Sequence, residues 1–163
     1  MVETWVVNAS PLIFLGNAGH LHLLRLVAPG RVVVPETVWK EVTNSPHVDR
    51  AAHELSGTGW LERVPAPVVP PSVIEWDLDE GEASVIATAI DLKADRVVMD
   101  DLSGRKCALA LGLPLSGTLG VVINAQRAGH IADARKTLHE MRAAGLWLAD
   151  DVIARALHLA GID

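Results

Sequence analysis

The sequence predicts an α/β fold in which a mainly parallel sheet carries helices on both faces. Three observations lead there. Short β-branched apolar runs alternate with longer stretches of helical period along all 163 residues, and strands interleaved with helices imply right-handed β-α-β crossovers. Half of the residues are hydrophobic, and a chain of this length buries roughly 70% of its unfolded surface without needing a disulfide or a structural metal. The one obvious connector, residues 65–72 with four prolines, leaves neither flank able to bury a full core. The expectation is therefore one domain over residues 1–163, with C-terminal helices at about 131–160 packed on it.

The elements follow in order. Thr4 to Val7, Thr-Trp-Val-Val, is the first strand. Ser10-Pro11 reads as a helix start, a hydroxyl cap followed by proline at the first helical position. That helix carries Leu12, Ile13 and Leu15 and yields at residues 16–19, Gly-Asn-Ala-Gly, to a short one with Leu21, Leu23 and Leu24. Arg31 to Val34 is a strand stopped by Pro35. Glu36 to Val42 suits a helix with Val38 and Val42 on one face and Glu41 off it. Residues 48–56 form a further turn or two, and Leu61 to Val64 a short edge strand. After the proline connector, Glu80 to Lys93 is a helix with Val85, Ala89 and Leu92 along one stripe. Val97 to Met99 is a buried strand, Arg105 to Leu111 a helix, and Leu113 to Leu115 a strand. Thr118 to Ala128, Ile131 to Ala144 and Asp151 to Ala160 are three more helices.

Charge and composition exclude several functions. A formal net charge of -6 argues against binding nucleic acid by bulk electrostatics, although an acidic site for divalent cations contributes to that charge itself. Aromatics are limited to Phe14 and five tryptophans, a poor basis for stacking bases. Charges or prolines interrupt every apolar run before the roughly 18 residues of a membrane span, and no basic n-region precedes an apolar stretch. The lone Cys107 excludes an intramolecular disulfide and a Cys-rich zinc site, so the expected compartment is the cytoplasm.

Ligands of open α/β sheets sit beyond the carboxyl ends of the strands. The first strand exits into Asn8-Ala9-Ser10, the fourth into Asp100-Asp101, and the fifth into Ser116-Gly117-Thr118, while the helix after the prolines opens with Asp79-Glu80-Gly81-Glu82. Several carboxylates thus gather on one rim, and hard oxygen donors suit Mg²⁺ or Mn²⁺ rather than zinc. Each residue also has a plain structural use. Asp100 or Asp101 caps the next helix, Glu80 and Glu82 favour a helix dipole, Glu41 lies on a solvated face, Asn8 sits in a turn, and Ser10 is only a cap. Convergence, not any single residue, carries the case. The seven histidines show no metal-binding spacing, Cys107 reads as a buried small hydrophobe, and no phosphate-cradling glycine motif or nucleophile elbow is present.

Taken together, these segments resemble a known family. Residues 6–13, Val-Val-Asn-Ala-Ser-Pro-Leu-Ile, resemble the opening strand and turn of PIN domains, usually Asp-x-Ser/Thr-x-Leu-Ile. Residues 32–42, Val-Val-Val-Pro-Glu-Thr-Val-Trp-Lys-Glu-Val, resemble the second block, whose glutamate is Glu41. Residues 79–89 and 94–101 are similar to the third and fourth, and 112–122, Gly-Leu-Pro-Leu-Ser-Gly-Thr-Leu-Gly-Val-Val, to a prokaryotic branch of PIN-like proteins of unknown function. The resemblance implies a three-layer α/β/α sandwich and Mg²⁺- or Mn²⁺-dependent cleavage of single-stranded RNA. It further implies a toxin held by a small antitoxin, and a homodimer. Carried over by position, Asn8, Glu82, Asp100 and Asp101 would hold the metal. Glu41, Glu82, Asp100 and Asp101 would be catalytic, with Ser10 and Thr118 supporting them. Arg105 and Lys106, which open the helix after the aspartate pair, are the best-placed residues to grip RNA. A second basic stretch holds Arg127, Arg135, Lys136 and Arg142, and a solvated helix face is its plainer reading.

Asn8 departs from the family pattern, whose first position is normally aspartate. An amide oxygen still coordinates Mg²⁺ but has lost a formal charge, worth several kcal/mol against a dication at an effective dielectric of about 20. Two other readings follow. One is a catalytically weak or inactive module that binds RNA or a protein partner. The other is an α/β enzyme using the acidic rim on a phosphorylated metabolite.

Overall fold

The computed structural model describes residues 2–45 and 49–162. Five strands, β1 (Thr4–Val7), β2 (Arg31–Pro35), β3 (Leu61–Val64), β4 (Arg96–Val98) and β5 (Leu115–Ser116), form one sheet in the order β3-β2-β1-β4-β5. Every pairing is parallel, with Val6 opposite Val33 on one side and Val97 on the other. A parallel sheet covered on both faces needs strands without polar alternation. Val6, Val7, Val33, Val34, Val97 and Val98 are accordingly all buried. β3 lies at an edge and turns Glu62 and Arg63 outward, the charged pattern that discourages further strand pairing. Arg31 pairs with Glu62 at 2.6 Å, and Arg63 with Glu36.

Ten helices connect the strands among the described residues: α1 (Ala9–Asn17), α2 (His22–Val27), α3 (Glu36–Asn44), α4 (Asp49–Ser56), α5 (Pro71–Ile74), α6 (Glu80–Asp91), α7 (Leu102–Ala110), α8 (Thr118–Arg127), α9 (Ala134–Ala143) and α10 (Asp150–Leu159). α6 lies across β1, β2 and β4 with α5 and α7 beside it, while α1 meets α4, α8 and α9, and α10 packs on α8 and α9. The result is a three-layer α/β/α sandwich. One continuous hydrophobic cluster runs from Trp5 to Leu157, so the last two helices share the core of the sheet.

Several boundaries differ from the sequence expectation, each for a local reason. α1 starts at Ala9, with Asn8 rather than Ser10 in the cap position. Pro11 still falls in the first turn, where a missing N–H costs nothing. The proline connector ends in a single helical turn, α5, anchored by the buried Val73. α7 begins at Leu102, three residues early. Gly104 is a poor helix former, but the Met99 side chain packs where its Cβ would stand. β4 is Arg96–Val98 instead of 97–99, and β5 starts at Leu115 because Pro114 before it has no N–H for the ladder. α9 starts at Ala134, since the Asp133 side chain accepts from the Lys136 N–H at 3.1 Å and sets the cap there. His47 and the first residue of the helix expected from 48 lie outside the described residues.

Gly16 marks the tightest helix approach that bears on the core. A Cβ there would stand 2.8 Å from both Cα and Cβ of Ala51 on α4. Gly16→Ala therefore forces α1 and α4 apart. Overpacking of about 1–3 kcal/mol exceeds the helix-propensity gain of about 1 kcal/mol, so the urea midpoint falls. A rise would show that the two helices separate freely.

Candidate functional site

The strand order places the site. From β1 the chain steps to β2 and β3 on one side, then returns to add β4 and β5 on the other. The connections leaving β1 and β4 diverge there, opening a crevice at the carboxyl ends of adjacent strands. Asn8 follows β1 and donates its backbone N–H to Val98 O at 3.0 Å, so the exits of β1 and β4 stand side by side. The Asn8 side chain is buried, and its Oδ1 has no hydrogen-bond partner among the described residues. An asparagine in a helix cap position ordinarily uses that oxygen on a backbone N–H, but this one makes no such bond.

α6 brings carboxylates to the same rim. Asp79 caps it, accepting the Glu82 N–H at 2.8 Å, which turns Glu82 in the first turn towards the sheet. Glu82 is only 6% exposed. Burial first, then the charges of Asp79 and Asp101 and a hydrogen bond to the Asp101 carboxyl, push its pKa up to about 7. Glu41 reaches over from α3. A Cβ on Gly81 would lie 2.6 Å from Glu41 Oε2, so only glycine lets this carboxylate close on α6. Partial burial, with Asp79 and Asp101 nearby, raises the Glu41 pKa as well.

The two aspartates after β4 have different surroundings. Asp100 accepts from the Thr118 N–H at 2.8 Å on Oδ1 and from the Thr118 hydroxyl at 2.6 Å on Oδ2. Its pKa is raised by burial, against the hydrogen bonds from Thr118 and the charge of Arg105. Asp101 is exposed and caps α7 without a side-chain cap bond. Arg105 is half-buried, with Nη1 donating to Met99 O at 2.9 Å, while Lys106 is exposed. Thr118 is fully buried and Ser10 half-buried. In the second basic stretch, Arg142 pairs with Asp150 at 2.7 Å.

A cleft of about 680 Å³ opens between α3, the start of the proline connector at Pro65 and Ala66, and the first turn of α6. Glu41, Asp79, Glu80 and Gly81 are part of its wall, and Lys40 is the one cation among the described residues that line it. Sequence reasoning did not assign Asp79 or Gly81 a role. Asp79 followed three residues later by Glu82 is close to a capping-box pattern, and that signal would have tied the two together.

A three-layer parallel sandwich with an acidic rim at its strand reversal is a nuclease-type fold. Residues 4–162 match the family DUF3368, described as a PIN domain, so the chain belongs to the PIN-domain family. No curated protein matches it. No helix among the described residues is long and apolar enough to cross a membrane.

PIN domains generally use divalent metals. Among the described residues, no three His, Cys, Asp or Glu side chains stand together as a ready-made metal site, and the amide at position 8 removes one carboxylate from such a count. The donor chemistry nevertheless fits a hard dication. Asn8 Oδ1 is an unpaired buried oxygen, and Glu82 is buried with the charges of Asp79 and Asp101 acting on it, a cost that a proton or a cation relieves.

Glu82, Glu41 and Asp100 are all shifted upward. The folded chain therefore holds more protons than the unfolded chain between the usual carboxylate range and, for Glu82, about 7. Stability falls as pH rises through that window. In EDTA, the melting temperature of the natural chain should drop more between pH 5 and pH 8 than that of Glu82→Gln. Parallel drops would show that Glu82 titrates like an ordinary glutamate.

Proposed function

We propose that the chain is a metal-dependent endoribonuclease acting on single-stranded RNA. The observation that carries this reading is the buried Glu82 carboxyl on the same strand-end rim as the unpaired Asn8 oxygen, with the Glu82 pKa raised to about 7. Asn8, Glu82 and one carboxylate of the Asp100–Asp101 pair would hold Mg²⁺ or Mn²⁺. A divalent ion there supplies positive charge to a phosphodiester and lowers the pKa of water.

The chain's own groups do the rest. Glu82 and Asp101 line the part of the rim where the reacting phosphate would sit. Glu41, at the cleft wall with an upward-shifted pKa, accepts the proton of the attacking water, a role favoured by a pKa moved towards the working pH. Lys40 in the cleft and Lys106 on α7 meet the negative RNA backbone. Arg105 holds Met99 O instead, which supports assigning it to the scaffold. A homodimer and restraint by a small antitoxin belong to the same proposal and rest on the family resemblance, while a single functional domain and action in the cytoplasm rest on the length, composition and lone cysteine of the chain.

The second reading is a module that binds RNA or a protein partner without turnover, and Asn8 favours it. Titration with Mn²⁺ and cleavage of a single-stranded RNA decide between the two. The nuclease reading expects Mn²⁺ binding and Mn²⁺-dependent cleavage, both lost in Glu82→Gln and Asp101→Asn. It also expects an affinity gain of roughly tenfold or more in Asn8→Asp, from the added charge. RNA bound but cut by neither the natural chain nor Asn8→Asp favours the second reading. Absence of Mn²⁺ binding in both chains overturns the first.

A further inference from the structure

We infer that Asp100 is a positioning residue rather than an ion ligand: it latches the exit of β4 to the first turn of α8 and so aims Asp101 into the rim. The inference rests on the nuclease reading and separates two adjacent aspartates that the reading treats alike.

Both Asp100 carboxylate oxygens are already engaged, Oδ1 by the Thr118 N–H at 2.8 Å and Oδ2 by the Thr118 hydroxyl at 2.6 Å. Thr118 is wholly buried, so neither bond competes readily with water. Arg105 closes the other side, with Nη1 on Met99 O at 2.9 Å and its charge acting on Asp100. Gly117 completes the latch. A Cβ there would stand 2.8 Å from Asp100 Oδ1 and 3.0 Å from Arg105 Nη1. Its φ of -116° is open to any residue, so the demand for glycine is steric and comes from these two side chains.

Asp101 shows the complementary pattern. It occupies the cap position of α7 with extended backbone, yet makes no side-chain cap bond. A capping aspartate usually accepts a backbone N–H of the first turn. The Asp101 carboxyl is instead free of the scaffold and close enough for its charge to act on Glu82 and Glu41. One aspartate is thus tied into the scaffold and its neighbour is left free at the rim.

The test uses the full chain, Mn²⁺ titration, and thermal unfolding in EDTA. Asp100→Asn keeps both links, because its oxygen accepts the Thr118 N–H and its amide donates to the Thr118 hydroxyl, while the charge is gone. A latch predicts that Asp100→Asn still binds Mn²⁺, losing no more than about tenfold through the missing charge, and binds it more tightly than Asp100→Ala. Asp100→Ala and Thr118→Val should each lose about 10–100-fold, the usual cost of removing a ligand's support, and Asp101→Asn should abolish binding. In EDTA, Asp100→Ala and Thr118→Val should lower the midpoint, and the double variant should fall short of the sum. Loss of Mn²⁺ binding in Asp100→Asn with an unchanged midpoint overturns the inference by making Asp100 a ligand. If neither the natural chain nor Asn8→Asp binds Mn²⁺, the nuclease reading fails. The latch then stands on non-additive midpoints and is overturned by additive ones.

Discussion

The site depends on a reversal in the order of parallel strands. β1 lies at the centre of the sheet, and the chain builds outward from it in one direction before returning to build in the other. Two neighbouring strands, β1 and β4, therefore send their following segments apart, and nothing hydrophobic has to fill the gap between them. Polar groups that would be costly in the layers above and below find room there. Asn8, the aspartate pair and the first turn of α6 all reach this gap.

Gathering carboxylates at one place carries an electrostatic cost, and the local structure shows how it is distributed. Asp79 is drawn into capping α6, and Asp100 into hydrogen bonds with Thr118. Glu82 and Glu41 have their pKa values raised, by burial first and then by the charges of Asp79 and Asp101. An aspartate at position 8 would add another negative charge to the same crevice, and the asparagine found there relieves that repulsion while leaving an oxygen donor unpaired. The substitution thus lowers both the repulsion in the empty rim and its attraction for a cation. Two glycines make the crowding sterically possible. Gly81 admits Glu41, and Gly117 admits Asp100 and Arg105.

Much of this was legible in residue order. The valine-rich runs marked the strands, because buried parallel strands need no polar alternation, and the polar residues at strand exits marked the rim. Boundaries were less legible where two local preferences competed. Ser10-Pro11 carries a strong helix-start pattern, yet the helix begins at Ala9 because the chain must turn directly out of β1. Gly104 reads as a helix breaker, but Met99 packing keeps it inside α7. Arg105 reads as a cation for RNA, and its bond to a carbonyl six residues earlier is visible only in the structure.

The sequence by itself determined the layer architecture and which polar residues stand at the strand exits, because hydrophobic periodicity and strand-end chemistry are local properties. Only the tertiary structure decided how neighbouring residues divide the work. Asp100 and Asp101 are chemically identical and adjacent in the chain. Their difference arises from Thr118, eighteen positions further on, and from Glu82 on another helix. Hydrogen bonds and charge repulsion act over a few ångström in space whatever the separation along the chain, so that distinction exists only once the sheet has brought α6, β4 and α8 together.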